Sequence, residues 1–212
     1  MTESPASLKK VGGPDPVHPL LSAAFQAKFE VFDWKNALTL LKAVHPEEFG
    51  QLISTLDAFV LKRSDLTEGG GNKSRIARAL DGRLLEQGWI EHKFDTKILV
   101  DGKQFDSPTH KVDCFKNRVA LEVEWNNKDP FFDRDLNNFR LLYDLHVIDL
   151  GVVVTRATSL ETILRTSGRN ATTYGRATTH TEKLLPKIKG GGAGGCPVAV
   201  FGITAGAYRD DL

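Results

Sequence analysis

The sequence predicts an α/β fold in which a mixed central sheet is flanked by helices and carries a helical decoration on its N-terminal side. Three observations lead there. Extended stretches cluster between Trp89 and Trp125, an amphipathic helical pattern runs from Asp133 to His146, and two apolar strand-like runs, Leu150 to Thr155 and Val198 to Ile203, come after it. The order helix, strand, strand, strand, helix, strand places three antiparallel strands first and reaches a fourth by a crossover.

Composition sets the frame for this reading. The chain has 212 residues, 41% of them hydrophobic and 26% charged, which is the balance of a globular protein able to bury its own core. Lys and Arg total 28 against 27 Asp and Glu, so a net charge of +1 denies the chain the global field of a non-specific nucleic-acid coat. Any nucleic-acid surface has to be local. No stretch approaches the roughly 18 apolar residues of a membrane-spanning helix. The polar lead-in, residues 1–19, has no signal-like apolar run, so a cytoplasmic location is expected. Cys114 and Cys196 lack metal or redox spacing and read as reduced, structural thiols.

From Leu20 to Leu61 apolar residues recur at helical spacing, with Asp33 placed to cap a first helix and His45-Pro46-Glu47-Glu48 to open a second. The polar segment 62–71 ends in three glycines, which divides a helical N-terminal subdomain, residues 20–71, from a larger unit, residues 72–212. Asn72 and Ser74 suit the start of a helix carrying Ile76, Ala79, Leu80 and Leu84 on one face, and Gly88 suits the left-handed position after it. Trp89 to Val100, Lys103 to Phe115 and Val119 to Trp125 read as an antiparallel meander, turning at Asp101-Gly102 and at Asn117-Arg118.

The chemistry lies in the second turn. If Asn117-Arg118 is a two-residue hairpin loop, Lys116 faces Val119 and Asp113 lies opposite Glu122 on the same face. Strand alternation adds Glu124 to that face, roughly 7 Å further along, while Leu121 and Val123 point to the core. Like charges opposite one another oppose folding, so three converging acids call for another reason. A magnesium ion supplies one: Asp113 and Glu122 suit it as ligands, and Glu124 stands ready to take a proton from a water whose acidity the ion raises. The plain alternative is a solvated face, since Glu-Val-Glu on a half-buried strand needs no ligand.

Asp113, the eight residues Cys114 to Leu121, then Glu122-Val123-Glu124 resemble the acid and (D/E)-x-K signature of restriction-endonuclease-like nucleases. More narrowly, DCFKNRVALEVEW followed by Asn126-Asn127 is similar to the type II restriction endonucleases of the BglII/BstYI family. The likeness extends from about Asn72 to Ile203. It implies a restriction-endonuclease-like fold for residues 72–212 and Mg²⁺-dependent hydrolysis of DNA at a short palindrome, with a GATC core as the first guess. It also implies a homodimer on double-stranded DNA and a cognate DNA methyltransferase in the same system. Asp113 and Glu122 would then hold the metal, and Glu124 replaces the family's usual Lys or Gln. A fourth active-site position would fall on His92, with Glu91 its neighbour.

Recognition residues follow from the same resemblance and from local charge. Asn126 and Asn127 leave the catalytic strand where similar enzymes read bases, although a turn with Asn in left-handed conformation explains them too. Residues 163–192 hold Arg165, Arg169, Arg176, Lys183, Lys187 and Lys189 against the single acid Glu182, interleaved with Asn170, Thr173 and Tyr174. Lys73, Ser74 and Arg75 at a helix start suit a phosphate, or in the case of Ser74 ordinary capping. Two rivals share these residues: a repair or recombination nuclease without site specificity, and an inactive DNA-binding module on the same scaffold.

Overall fold

A seven-stranded sheet organises the protein, whose computed structural model describes residues 9–11, 18–67, 74–106, 109–166 and 177–211. The N-terminal part supplies β1 (Lys9–Val11), α1 (Ala23–Lys28), β2 (Phe29–Trp34), α2 (Ala37–Val44), α3 (Pro46–Asp57), β3 (Leu61–Lys62) and α4 (Arg63–Thr67). The mostly helical character expected of this part is interrupted by β2, which lies inside the central sheet. Phe29 and Val31 enter one core while Phe32 and Trp34 enter the other, so the strand is apolar on both faces and shows no clean alternation. Asp33 therefore sits on a strand rather than at a helix start. Its Oδ1 nevertheless accepts the Leu38 N–H at 3.0 Å, and Asn36, at φ 57°, turns the chain into α2.

α5 (Arg75–Leu85) begins as expected, with the Ser74 hydroxyl accepting the Ala77 N–H at 3.0 Å. It ends through Gly88 at φ 85°, and the Trp89 N–H returns to the Leu84 carbonyl. The anticipated three-strand meander is in fact five strands: β4 (Ile90–Lys93), β5 (Lys97–Val100), β6 (Lys103–Asp106), β7 (Lys111–Lys116) and β8 (Val119–Glu124). Asp101 and Gly102, both at positive φ, reverse the chain so tightly that β5 and β6 pair only with each other as a separate hairpin. β4 passes them by and pairs with β7, which pairs with β8.

The chain then crosses over through α6 (Pro130–Asp144) to β9 (Leu150–Arg156), parallel to β8. It passes α7 (Glu161–Thr166) and α8 (Thr181–Lys189) to reach β10 (Val198–Ile203), parallel to β9 and antiparallel to β2, and β11 (Tyr208–Arg209) pairs with β3. The strand order is β1-β2-β10-β9-β8-β7-β4, the mixed sheet flanked by helices that the sequence predicts. α1, α2, α3 and α5 cover one face through Phe25, Leu38, Leu52 and Leu80, and α6 and α8 cover the other through Phe132, Phe139 and Leu184. Along β8, Val119, Leu121 and Val123 enter the first core, which leaves Ala120, Glu122 and Glu124 facing α6.

α6 approaches the sheet closely because β9 offers it a glycine. A Cβ on Gly151 would stand 2.3 Å from the Phe139 ring, deep in the core. Gly151→Ala should accordingly cost about 1–3 kcal/mol, seen as a lowered Tm in calorimetry, and Phe139→Leu in the same chain should recover part of it. An unchanged Tm for the single variant would mean that α6 is not seated this tightly.

Candidate active site

The site starts from the turn between β7 and β8. Asn117 at φ 43° and Arg118 at φ 68° form a two-residue left-handed reversal, and Lys116 faces Val119, Phe115 faces Ala120 and Cys114 faces Leu121. Left-handed backbone costs a non-glycine residue roughly 1–2 kcal/mol. Side-chain bonds offset this: Asn117 donates to Glu48 at 2.6 Å, and Arg118 grips Asp149 through Nε at 2.9 Å and Nη2 at 2.6 Å.

One register step further, Asp113 comes opposite Glu122 and the regular ladder gives way. The Val123 N–H donates to Asp113 Oδ2 at 3.1 Å, and the Asp113 N–H donates to Glu122 Oε2 at 3.4 Å. On the other side, Ile90 faces Phe115 while His92 faces Val112, a register shift that re-aims the residues between. Glu124, two residues on, accepts Asn127 Nδ2 at 2.6 Å and Arg134 Nη2 at 3.2 Å. The sequence-predicted acids thus meet at the carboxyl end of a parallel strand, where open α/β sheets place their ligands.

α6 adds an acid that sequence reasoning missed. Asp135 is fully buried, takes Arg134 Nε at 3.0 Å and Nη2 at 2.8 Å on its Oδ1, and lies within hydrogen-bonding reach of the Glu124 carboxyl. A signal existed: Asp135 falls three residues after Phe132 and four before Phe139, on the apolar stripe of the helix. Asp135 Oδ2 and Glu122 Oε1 are both buried with no hydrogen-bond partner among the described residues.

Withdrawal from water, reinforced by the field of Asp135, holds the Glu122 carboxyl well above the usual range and pushes Glu124 up to about 9. Burial raises Asp135 too, although Arg134 and the bond to Glu124 oppose the rise. Two orphaned oxygens among mutually repelling carboxyls are a fit for a hard divalent cation, which would replace protons as the neutralising charge. Among the described residues no group of three or more His, Cys, Asp or Glu is arranged to hold a metal ion by itself. The fit is that of a two-carboxylate site completed from outside the chain.

The remaining expected site residues are distributed unevenly. His92 does not join the acids: its ring packs on Phe94 at 4.5 Å and Phe115 at 5.9 Å, and Glu91 pairs with Lys111 at 2.7 Å. His110, which the sequence left unassigned, lies in the field of both Asp113 and Arg134, and burial holds it on the neutral side of its usual range. Asn127 is tied to Glu124, whereas Asn126, at φ 60°, keeps a buried Oδ1 without a partner among the described residues. Ser74 is engaged as a helix cap beside Arg75. Arg165, Lys183 and Lys187 are ion paired with Glu161, Asp129 and Asp133. Lys73, Arg169, Asn170, Thr173, Tyr174 and Arg176 lie outside the described residues.

The family model described as restriction endonuclease BglII/BglIII matches residues 29–203. The chain belongs to this family. No curated protein matches it. The BglII/BglIII match begins at the first residue of β2 and ends at the last of β10, so it includes the N-terminal strand and helices that the sequence alone did not place. All four acids and Arg134 fall within it. No helix among the described residues is long and apolar enough to cross a membrane.

The buried acids couple folding to pH. Unfolded, a Glu carboxyl loses its proton near 4.5, whereas the folded protein keeps that of Glu124 to about 9, so the folded chain binds more protons across this window and loses stability as pH rises through it. Metal-free protein should melt at a lower temperature at pH 8.5 than at pH 5.5. Glu124→Gln should flatten the dependence, and millimolar Mg²⁺ should raise the Tm mainly at the higher pH. A Tm that climbs with pH in the absence of metal would refute the assignment.

Proposed function

We propose that this protein is a type II restriction endonuclease that hydrolyses DNA at a short palindromic site with Mg²⁺. The single observation that carries the reading is the meeting of Asp113, Glu122 and Glu124 at the end of β8, in a chain of a restriction endonuclease family. Asp113 and Glu122 would hold the ion. Bound there, a divalent cation acidifies water and screens the charge of a phosphodiester.

The chain's own residues supply the rest. Glu124, held by Asn127 and Arg134, takes the proton of the attacking water at its carboxyl. Withdrawal of Glu122 and Glu124 from solvent keeps competing water out and strengthens every electrostatic contact made there. Asn126, two residues after Glu124 and with a buried amide oxygen that has no partner among the described residues, would read a base edge, most simply an adenine through two hydrogen bonds. A palindrome calls for a two-fold arrangement of protomers, so a homodimer with one cut per protomer is the economical assembly, and a cognate methyltransferase would protect the host's own sites. A GATC core is the first sequence to test. Such a nuclease works where the DNA is, in the cytoplasm.

Asp113→Ala and Glu122→Ala should keep duplex binding in Ca²⁺ and lose cleavage in Mg²⁺ by at least about 10²-fold. Near-normal cutting by either variant would remove the assignment. Plasmid digestion by the unaltered protein should give discrete bands; a smear would favour a non-specific repair nuclease, and tight binding with no cutting in Mg²⁺ or Mn²⁺ an inactive module.

A further inference from the structure

We propose that Arg134 is a catalytic residue of this nuclease, donating through Nη1 to the phosphodiester that is cut. The inference rests on the nuclease reading above. A phosphodiester is an anion, and Asp113, Glu122, Glu124 and Asp135 offer it no positive charge. Arg134 forms ion pairs with this cluster, reaching Glu124 at 3.2 Å and Asp135 at 2.8 Å. Its position is that of a cap: the Arg134 side chain is 35% exposed, whereas those of Glu124 and Asp135 are 3% and 1% exposed. The guanidinium thus reaches solvent where Glu124 and Asp135 do not.

The bonding of the guanidinium sets its direction. Nε and Nη2 are taken by Asp135 Oδ1 and Glu124 Oε1. Nη1 has no hydrogen-bond partner among the described residues. Stacking on the Phe131 ring, 4.4 Å from the guanidinium carbon, restrains the plane. Two anchored nitrogens and one stacked face leave a single donor edge, rigidly aimed, and a planar guanidinium edge suits a phosphate better than a lysine ammonium does. A donor fixed before substrate arrives stabilises charge developing on the phosphoryl oxygens without reorganisation.

The test compares wild type with Arg134→Met and Arg134→Lys in two readouts. In single-turnover cleavage with saturating protein, Arg134→Met should be slower by about 10²–10³-fold and Arg134→Lys should recover part of the loss. In duplex binding without divalent metal, the slope of log K against log salt should fall by about one for Arg134→Met and hold for Arg134→Lys, the mark of one lost phosphate contact. Wild-type cleavage by Arg134→Met overturns the proposal. So does slow cleavage with an unchanged salt slope, which makes Arg134 a positioning residue for Glu124. If Arg134→Met does not fold, Arg134→Lys decides alone: a wild-type rate shows that the guanidinium fork is not required and overturns the proposal. Wild-type protein that leaves DNA whole defeats the nuclease reading itself, whereas a cutting wild type with an inert Glu122→Ala and an active Arg134→Met defeats only the arginine.

Discussion

Three carboxyl groups lie withdrawn from water in one another's fields, and much of the surrounding structure exists to hold them there. Glu122 and Glu124 are 1% and 2% exposed, and Asp135 is fully buried. In the metal-free chain burial holds the protons of Glu122 and Glu124 far above the usual carboxylate range and raises Asp135 as well, at a cost in stability wherever those protons are lost. A hydrophobic substitution would relieve that cost. Their retention at the end of a parallel strand is intelligible if a cation takes the place of the protons, and stability is then exchanged for a site ready to receive substrate.

The scaffold delivers this arrangement through backbone detail. The left-handed pair Asn117 and Arg118 sets the register that brings Asp113 opposite Glu122, and Glu122 then takes the Asp113 N–H while Asp113 takes the Val123 N–H, where the ladder would otherwise continue. β8 is wholly buried, so its alternation assigns Val119, Leu121 and Val123 to one core and leaves Ala120 and the two acids for the other face. Gly151 lets α6 descend onto that face, carrying Arg134 and Asp135 to the site. Turn, strand and helix therefore act on a single point.

Much of this is legible in the sequence. A two-residue loop has one sensible register, so the pairing of β7 with β8 and the convergence of Asp113, Glu122 and Glu124 follow from counting. Where apolar residues face two cores the reading failed: Phe29 to Trp34 lacks alternation because β2 is covered on both sides, and its residues blended into the helical periodicity around them. Asp135 escaped notice because charges in an amphipathic helix are ordinarily solvated, and only its place between Phe132 and Phe139 marks it as inward-facing. His92 entered through the resemblance, which puts a fourth active-site position just after the helix, but aromatic packing on Phe94 and Phe115 claims its ring.

The central claim is that these buried carboxyls exchange protons for a divalent cation, and calorimetric titration of the free protein with Mn²⁺ in two buffers of different ionisation enthalpy at neutral pH tests it most directly. Binding accompanied by proton release, with release diminished in Glu124→Gln, is the expected result. Absence of binding, or binding that releases no protons, would contradict it.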